Sequence, residues 1–198
     1  MAYHYTSELI DNALTYPEYR KSINETLASS PADATAEKMR PHLINNALLM
    51  DHYDQSYRIS PELLETVNAA PPVTWLVITE GWCGDAAFNV PLFHVLEKLA
   101  PERVKLRLVL RDTNLELMDA NLTDGGRSIP KLIVLNHDLQ PIGSWGPRPA
   151  GLGQLMKQWK NDGLELRQLI PKVHQWYNAD KNRTLQQELT RMVKRYTL

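Results

Sequence analysis

Val73-Thr74-Trp75-Leu76-Val77-Ile78-Thr79-Glu80-Gly81-Trp82-Cys83-Gly84-Asp85-Ala86 decides how this chain folds. Its first seven residues are apolar or β-branched almost without a break, which is the composition of a strand buried on both faces. Glu80 and Gly81 end that run, and a helical pattern begins at Ala86. Cys83, the one cysteine of the chain, stands at the junction. A helix amino terminus carries unpaired N–H groups and the positive end of the helix dipole. Those favour an anion, so a thiol placed there is expected to have a lowered pKa and a larger thiolate fraction.

Downstream, strands alternate with helices. Residues 86–99 carry Val90, Phe93 and Leu96 through Leu99 on an expected inner face. Residues 104–110 alternate apolar and basic side chains, as a strand does. A short helix is expected over 115–122, ended by Thr123-Asp124-Gly125-Gly126, and a further strand over 131–135. Asn136-His137-Asp138 then turns the chain into 139–145, and a helix runs from about Pro149 to Trp159. The order β-α-β-α-β-β-α predicts parallel strands joined by crossover helices, with an antiparallel hairpin at one side.

Upstream, Leu9, Ile10, Ala13 and Leu14 recur at helical spacing, and Ile23 and Leu27 resume it after Pro17. Met39, Leu43, Ala47 and Met50 make one stripe over 33–53. Ser60 and Pro61 read as the cap and first turn of another helix, and Pro71-Pro72 marks a boundary. Two more helices are expected over 164–177 and 184–196. The chain thus divides into a helical extension (1–70), a central α/β unit (71–162) and a second helical extension (163–198), packed as one compact unit. The leading extension either packs on the sheet, covers the site or builds a dimer interface; the residues leave these three readings open.

Composition excludes several classes. With 22 basic against 23 acidic residues the net charge is -1, so nothing global favours nucleic acid or an anionic membrane surface. Charged or polar residues interrupt every apolar run, so no membrane span is expected. The opening residues, Met1 to Leu9, lack the charged-then-apolar layout of a secretory leader. One cysteine builds no disulfide framework, and the cytoplasm is the expected compartment. The six histidines show no ligand spacing with one another or with Cys83, so no metal and no cofactor is expected. Arg183, Arg191, Lys194 and Arg195 read as a solvated helix face.

Three segments in order resemble the thioredoxin-like superfamily over residues 73–160. Glu80-Gly81-Trp82-Cys83-Gly84-Asp85 is similar to its active-site turn. Asp112-Thr113-Asn114 followed by Ser128-Ile129-Pro130-Lys131-Leu132-Ile133 resembles the segment ending in its cis-proline. Gly146 with Pro147-Arg148-Pro149 resembles the glycine loop before its last helix. Together they are similar to an uncharacterised bacterial branch with a single-cysteine Trp-Cys-Gly-Asp turn. The resemblance implies a thioredoxin-like α/β fold, a central mixed sheet with flanking helices, carrying helical extensions at both ends. It further implies Cys83 as the reacting residue, Trp82, Gly84 and Asp85 as its turn, and Ile129, Pro130, Trp145, Gly146 and Arg148 against the substrate.

Each residue also has a plain reading. Cys83 is a reactive monothiol or a small buried hydrophobe. Asp85 helps the helix dipole but opposes a nearby thiolate. Arg148 offsets that charge if its loop folds against Cys83, and is otherwise an exposed loop arginine. Ile129-Pro130 is cis by resemblance and would then pair with an extended substrate, or it is a trans proline opening a strand.

The departures bear on the chemistry. Ala86 stands where thioredoxins have a resolving cysteine, and Val77 where they have a buried acid. A mixed disulfide at Cys83 would therefore be resolved by an outside thiol, a low-molecular-weight co-substrate, or by the substrate's second cysteine. The expected function is thiol–disulfide exchange with a protein or small-thiol disulfide through one cysteine. The alternative is a peptide- or protein-binding module in which Trp82, Pro130 and Trp145 form a groove. The Cys-Gly-Phe-Ser turn of monothiol glutaredoxins and the Thr-x-x-Cys pattern of thiol peroxidases are both missing.

Overall fold

The structure is a computed structural model and describes residues 3–197; Met1 and Ala2, which the leader reading included, lie outside the described residues. Its centre is β1 (Val73–Thr79), flanked by β2 (Val104–Leu110) and β3 (Lys131–Leu135), with β4 (Pro141–Trp145) at the far edge. β1 pairs in parallel with β2, from Val73 opposite Val104 to Thr79 opposite Leu110. All of β1 except Thr74 is buried, which explains its nearly unbroken apolar run. The fully buried Trp75 meets Phe93 edge-on with ring centroids 5.6 Å apart.

β3 departs from the expected parallel arrangement. It runs antiparallel to β1, with Ile78 opposite Lys131 and Thr74 opposite Leu135. The reason is length. Seven strand residues span about 23 Å, whereas α6 (Leu115–Asp119) spans five residues, or about 8 Å of helix. So short a helix does not carry the chain back along the sheet, and β3 starts at the end where β2 stopped. β4 then folds back on β3, with Trp145 opposite Leu132 and an irregularity at Val134/Leu135.

This topology places the site. The end of β1, the start of β3 and the end of β4 lie at the same end of the sheet. Cys83, Ile129-Pro130 and Gly146-Pro147-Arg148 follow or precede those strand ends directly, so distant segments of sequence converge.

α5 (Gly84–Leu99) crosses from β1 to β2 and is buried along nearly every residue from Asp85 to Phe93. Leu99, expected inside, is 52% exposed, because the helix ends there and Ala100 takes the inner place at 3%. At the amino end, α1 (Ser7–Asn12) stops before Ala13 and Leu14. Leu14 instead exchanges two 2.8 Å backbone hydrogen bonds with Leu108, covering the outer edge of β2. Thr15 and Glu18 form a capping box that restarts the chain as α2 (Tyr16–Ala28). α3 (Ala34–Ser56) is capped by Asp33, and α4 (Pro61–Ala69) by Ser60.

α3 packs on α5, while α9 (Arg183–Thr197) packs on α4 and β4. α7 (Ala150–Asn161) and α8 (Leu166–Asp180) build a second core around Phe88 with Leu152, Met156, Leu169 and Tyr177. The Tyr177 ring stacks on Phe88 at 4.1 Å, nearly parallel. Among the described residues, no helix is long and apolar enough to cross a membrane.

Candidate functional site

Cys83 occupies the cap position of α5, where no side chain supplies a capping hydrogen bond. Its thiol donates to the Ile129 carbonyl at 3.3 Å. The Ile129–Pro130 peptide bond is cis, and so is Gly146–Pro147. Gly146 adopts φ +123, and a Cβ there would lie 2.2 Å from the Pro130 carbonyl oxygen. Only glycine lets these two loops meet. Gly84 is different: a Cβ would meet nothing within 4 Å.

The sulfur does not behave as the helix start alone dictates. Cys83 is 8% exposed, and burial pushes its thiol up to about 12, with the Asp85 charge adding to the rise. The N–H groups of Ala86 and Asp85 and the Arg148 guanidinium pull the other way without prevailing. The lowered pKa expected from the dipole is therefore corrected. Desolvation penalises the thiolate more than the helix terminus rewards it.

Asp85 adds to the effect of burial. Its side chain turns inward and is 9% exposed. One carboxylate oxygen accepts from Arg148 at 2.5 Å and the other from the Tyr177 hydroxyl at 2.7 Å. Asn89, fully buried one turn along α5, donates to the Tyr177 oxygen at 2.9 Å and to the Asp85 carbonyl at 2.6 Å. Burial raises the Asp85 pKa, while Arg148, Tyr177 and the more distant His174 oppose that rise. The Arg148 loop does fold against the active-site turn, and it reaches Asp85 by a direct ion pair.

The two tryptophans occupy separate clefts. Trp82 faces a groove of about 520 Å³ between α2 and α3, beside Met39 and Leu43, and the Arg111 guanidinium lies 4.7 Å from its ring centroid. The Trp145 indole N–H instead donates to Glu188 at 2.6 Å, and its ring meets Phe93 edge-on. Glu188 also accepts from Ala150 N at 2.8 Å, tying α9 to the start of α7. Trp145 borders a different cleft, of about 690 Å³, together with Gly146 and Arg148. The single groove expected from Trp82, Pro130 and Trp145 is not what the structure places there.

The helices ahead of the sheet take part directly. Asn46 of α3 donates to the Gly81 carbonyl at 2.9 Å in a buried contact. A Cβ on Gly81 would stand 2.7 Å from Leu43 and 2.9 Å from Ile23, so α2 and α3 rest on the turn before Cys83. Sequence reasoning missed Asn46, Asn89 and Tyr177. A signal existed for two of them. Asn46 interrupts the stripe of Leu43, Ala47 and Met50, and Tyr177 continues Leu169 and Val173 at helical spacing. Among the described residues, no group of three or more His, Cys, Asp or Glu is placed to hold a metal ion.

A mixed sheet ordered β2-β1-β3-β4, a cysteine at the start of the helix after β1, and a cis-proline before β3 define the thioredoxin-like class of α/β proteins. Comparison with known proteins places the chain within it. A family model described as thioredoxin matches residues 33–160, and the chain belongs to that family. No curated protein matches. Among solved structures, the chain is similar to a protein of unknown function from Pseudomonas aeruginosa. That likeness has a TM-score of 0.62 and 15% identity, over 97% of this chain and 98% of the other. It is also similar to an HIV epitope-scaffold, with a TM-score of 0.65 and 14% identity, over 96% and 98%. At such identities these likenesses speak to the fold.

Proposed function

We propose that the protein performs thiol–disulfide exchange through Cys83 alone, by intermolecular mixed disulfides, from a resting state in which the sulfur is closed. One observation carries the reading: the sulfur lies at the amino end of α5 and against the Ile129 carbonyl beside cis-Pro130. In the exchange, the Cys83 thiol loses its proton and its thiolate attacks one sulfur of a disulfide. A new S–S bond forms to that sulfur, and the other leaves as a thiolate and takes up a proton. With Cys83 the one cysteine, a second thiol from outside resolves the mixed disulfide. A low-molecular-weight thiol or the second cysteine of a protein substrate supplies it, and a reducing compartment such as the cytoplasm suits that requirement.

Incubation with oxidised glutathione, followed by intact mass, tests this. The expected result is a slow, thiol-reversible adduct on the wild-type protein and none on Cys83→Ser. An adduct that forms in urea but never on the folded protein overturns the reading. A second reading, a thioredoxin-fold binding module, is favoured by the burial and raised pKa of the same sulfur. It requires Cys83→Ser to retain a partner with undiminished affinity.

A further inference from the structure

Tyr177 lies in α8, beyond the residues 33–160 that the family model matches, yet its hydroxyl reaches the second residue after Cys83. Three segments far apart in sequence converge on one buried carboxylate: α5 brings Asp85, the loop after β4 brings Arg148, and α8 brings Tyr177. The Tyr177 ring is fixed independently by its stack on Phe88, and Asn89 fixes the direction of its hydroxyl. Two polar atoms in this cluster, Oδ1 of the fully buried Asn89 and Nε of Arg148, are buried without a hydrogen-bond partner. Such a cluster costs stability if its role is packing alone.

We propose that Tyr177 is a positioning residue for Cys83: through its hydroxyl, and together with Arg148, it holds the Asp85 carboxylate ionised beside the sulfur and so keeps the resting thiol protonated. The proposal rests on the reading of Cys83 as the working group. The C-terminal helical pair then does more than pad the fold; it carries a brake on the site.

The sign follows from like charges. A thiolate at Cys83 faces the negative Asp85, and a carboxylate stripped of a hydrogen bond in a buried setting binds a proton more readily. Losing the Tyr177 hydroxyl therefore favours a proton on Asp85 and permits charge on the sulfur. The other titratable groups near this pair are Tyr19 of α2, Arg148 of the loop and His174 of α8, with Glu80 of the turn beyond Tyr19. The Tyr19 hydroxyl bonds to Thr79 and the Glu80 carboxylate accepts from Asp112 N, so neither is hydrogen-bonded to Tyr177. Arg148→Gln removes a cation from the thiolate and from Asp85 together, so its two effects oppose each other. It is not the informative variant.

The informative set is Tyr177→Phe, which keeps the ring on Phe88, then Asp85→Asn, and the two combined. The readouts are the rate of Cys83 alkylation by iodoacetamide at pH 7.5 and adduct formation with oxidised glutathione. Asp85→Asn is expected to accelerate alkylation about tenfold or more by removing the like charge. Tyr177→Phe is expected to accelerate it as well, by no more than Asp85→Asn does, because it acts only through the charge on Asp85. In the Asp85→Asn background, Tyr177→Phe is expected to change nothing. A purely structural Tyr177 would give the same factor in both backgrounds, and that result overturns the proposal. So does Tyr177→Phe reacting at the wild-type rate while glutathione adducts still form, which spares the reading of Cys83. No adduct on any of the four proteins overturns both. Should Tyr177→Phe not fold, Asp85→Asn alone decides, since an unchanged or slower rate removes the charge through which Tyr177 acts.

Discussion

Alkylation of wild-type Cys83 is expected to be slow at neutral pH and to accelerate nearly tenfold per pH unit, without a plateau below about pH 11. At pH 7.5 a free thiol of pKa ~8.5 is thiolate in about one molecule in ten. With Cys83 pushed up to about 12, the same relation leaves about one in 30,000 as thiolate. A more basic thiolate is a better nucleophile, and a Brønsted slope of ~0.45 returns a factor of ~40. The net expectation is a rate about 75-fold below that of a free thiol. Burial at 8% exposure lowers it further. The assay follows iodoacetamide addition by intact mass from pH 7 to 11, with N-acetylcysteine as the free-thiol reference. In urea the rate should return to the reference, because the deficit belongs to the fold. A plateau below about pH 8.5, or a folded rate equal to the reference, refutes the argument that desolvation and Asp85 outweigh the helix terminus.

Further expectations concern stability. A thiol whose folded pKa is raised stabilises the fold fully below its unfolded pKa, ~8.5–9 for a free thiol, and the contribution is lost as pH rises toward about 12. Between pH 8 and 10.5 the wild type should therefore lose about 2 kcal/mol relative to Cys83→Ala, measured by urea denaturation of both; parallel pH dependence of the two proteins refutes it. Gly146→Ala places a Cβ against the Pro130 carbonyl at a φ hostile to side chains. It should cost about 3 kcal/mol, seen as a melting temperature lower by about 10 °C; an unchanged melting temperature means the two loops do not meet as described. Asn46→Ala leaves the Gly81 carbonyl buried and unpaired, at a cost of about 1–3 kcal/mol in chemical denaturation. The same change should also speed alkylation of Cys83, since α3 holds the preceding turn.

What the sequence made legible was whatever depends on local chemistry. The apolar run of β1, the Ser60 cap and the Gly146 loop each announce themselves within a few residues. The direction of β3 was not legible that way. It depends on how far α6 carries the chain, and five helical residues decide it. The same distinction runs through the site. Cys83, Pro130, Gly146 and Arg148 lie in recognisable segments, and the sheet topology brings their loops to one end of the sheet.

The character of the site depends on tertiary burial, which no local segment encodes. A cysteine at a helix start reads as an activated thiol because the dipole acts over one turn. That argument assumes water nearby. Here the sulfur is buried against the Ile129 carbonyl, and desolvation reverses the sign. Val77 stands where thioredoxins keep a buried acid, so the chain read as lacking one. The structure instead supplies a buried acid from the helix, at Asp85, held by residues drawn from the last strand loop and from α8. An acid in the strand and an acid in the first helical turn are not equivalent. The second sits on the same helix terminus as the sulfur and opposes it through the shared low-dielectric interior. Burial of the sulfur comes first in raising its pKa, and a carboxylate at this position adds to the rise instead of assisting proton removal.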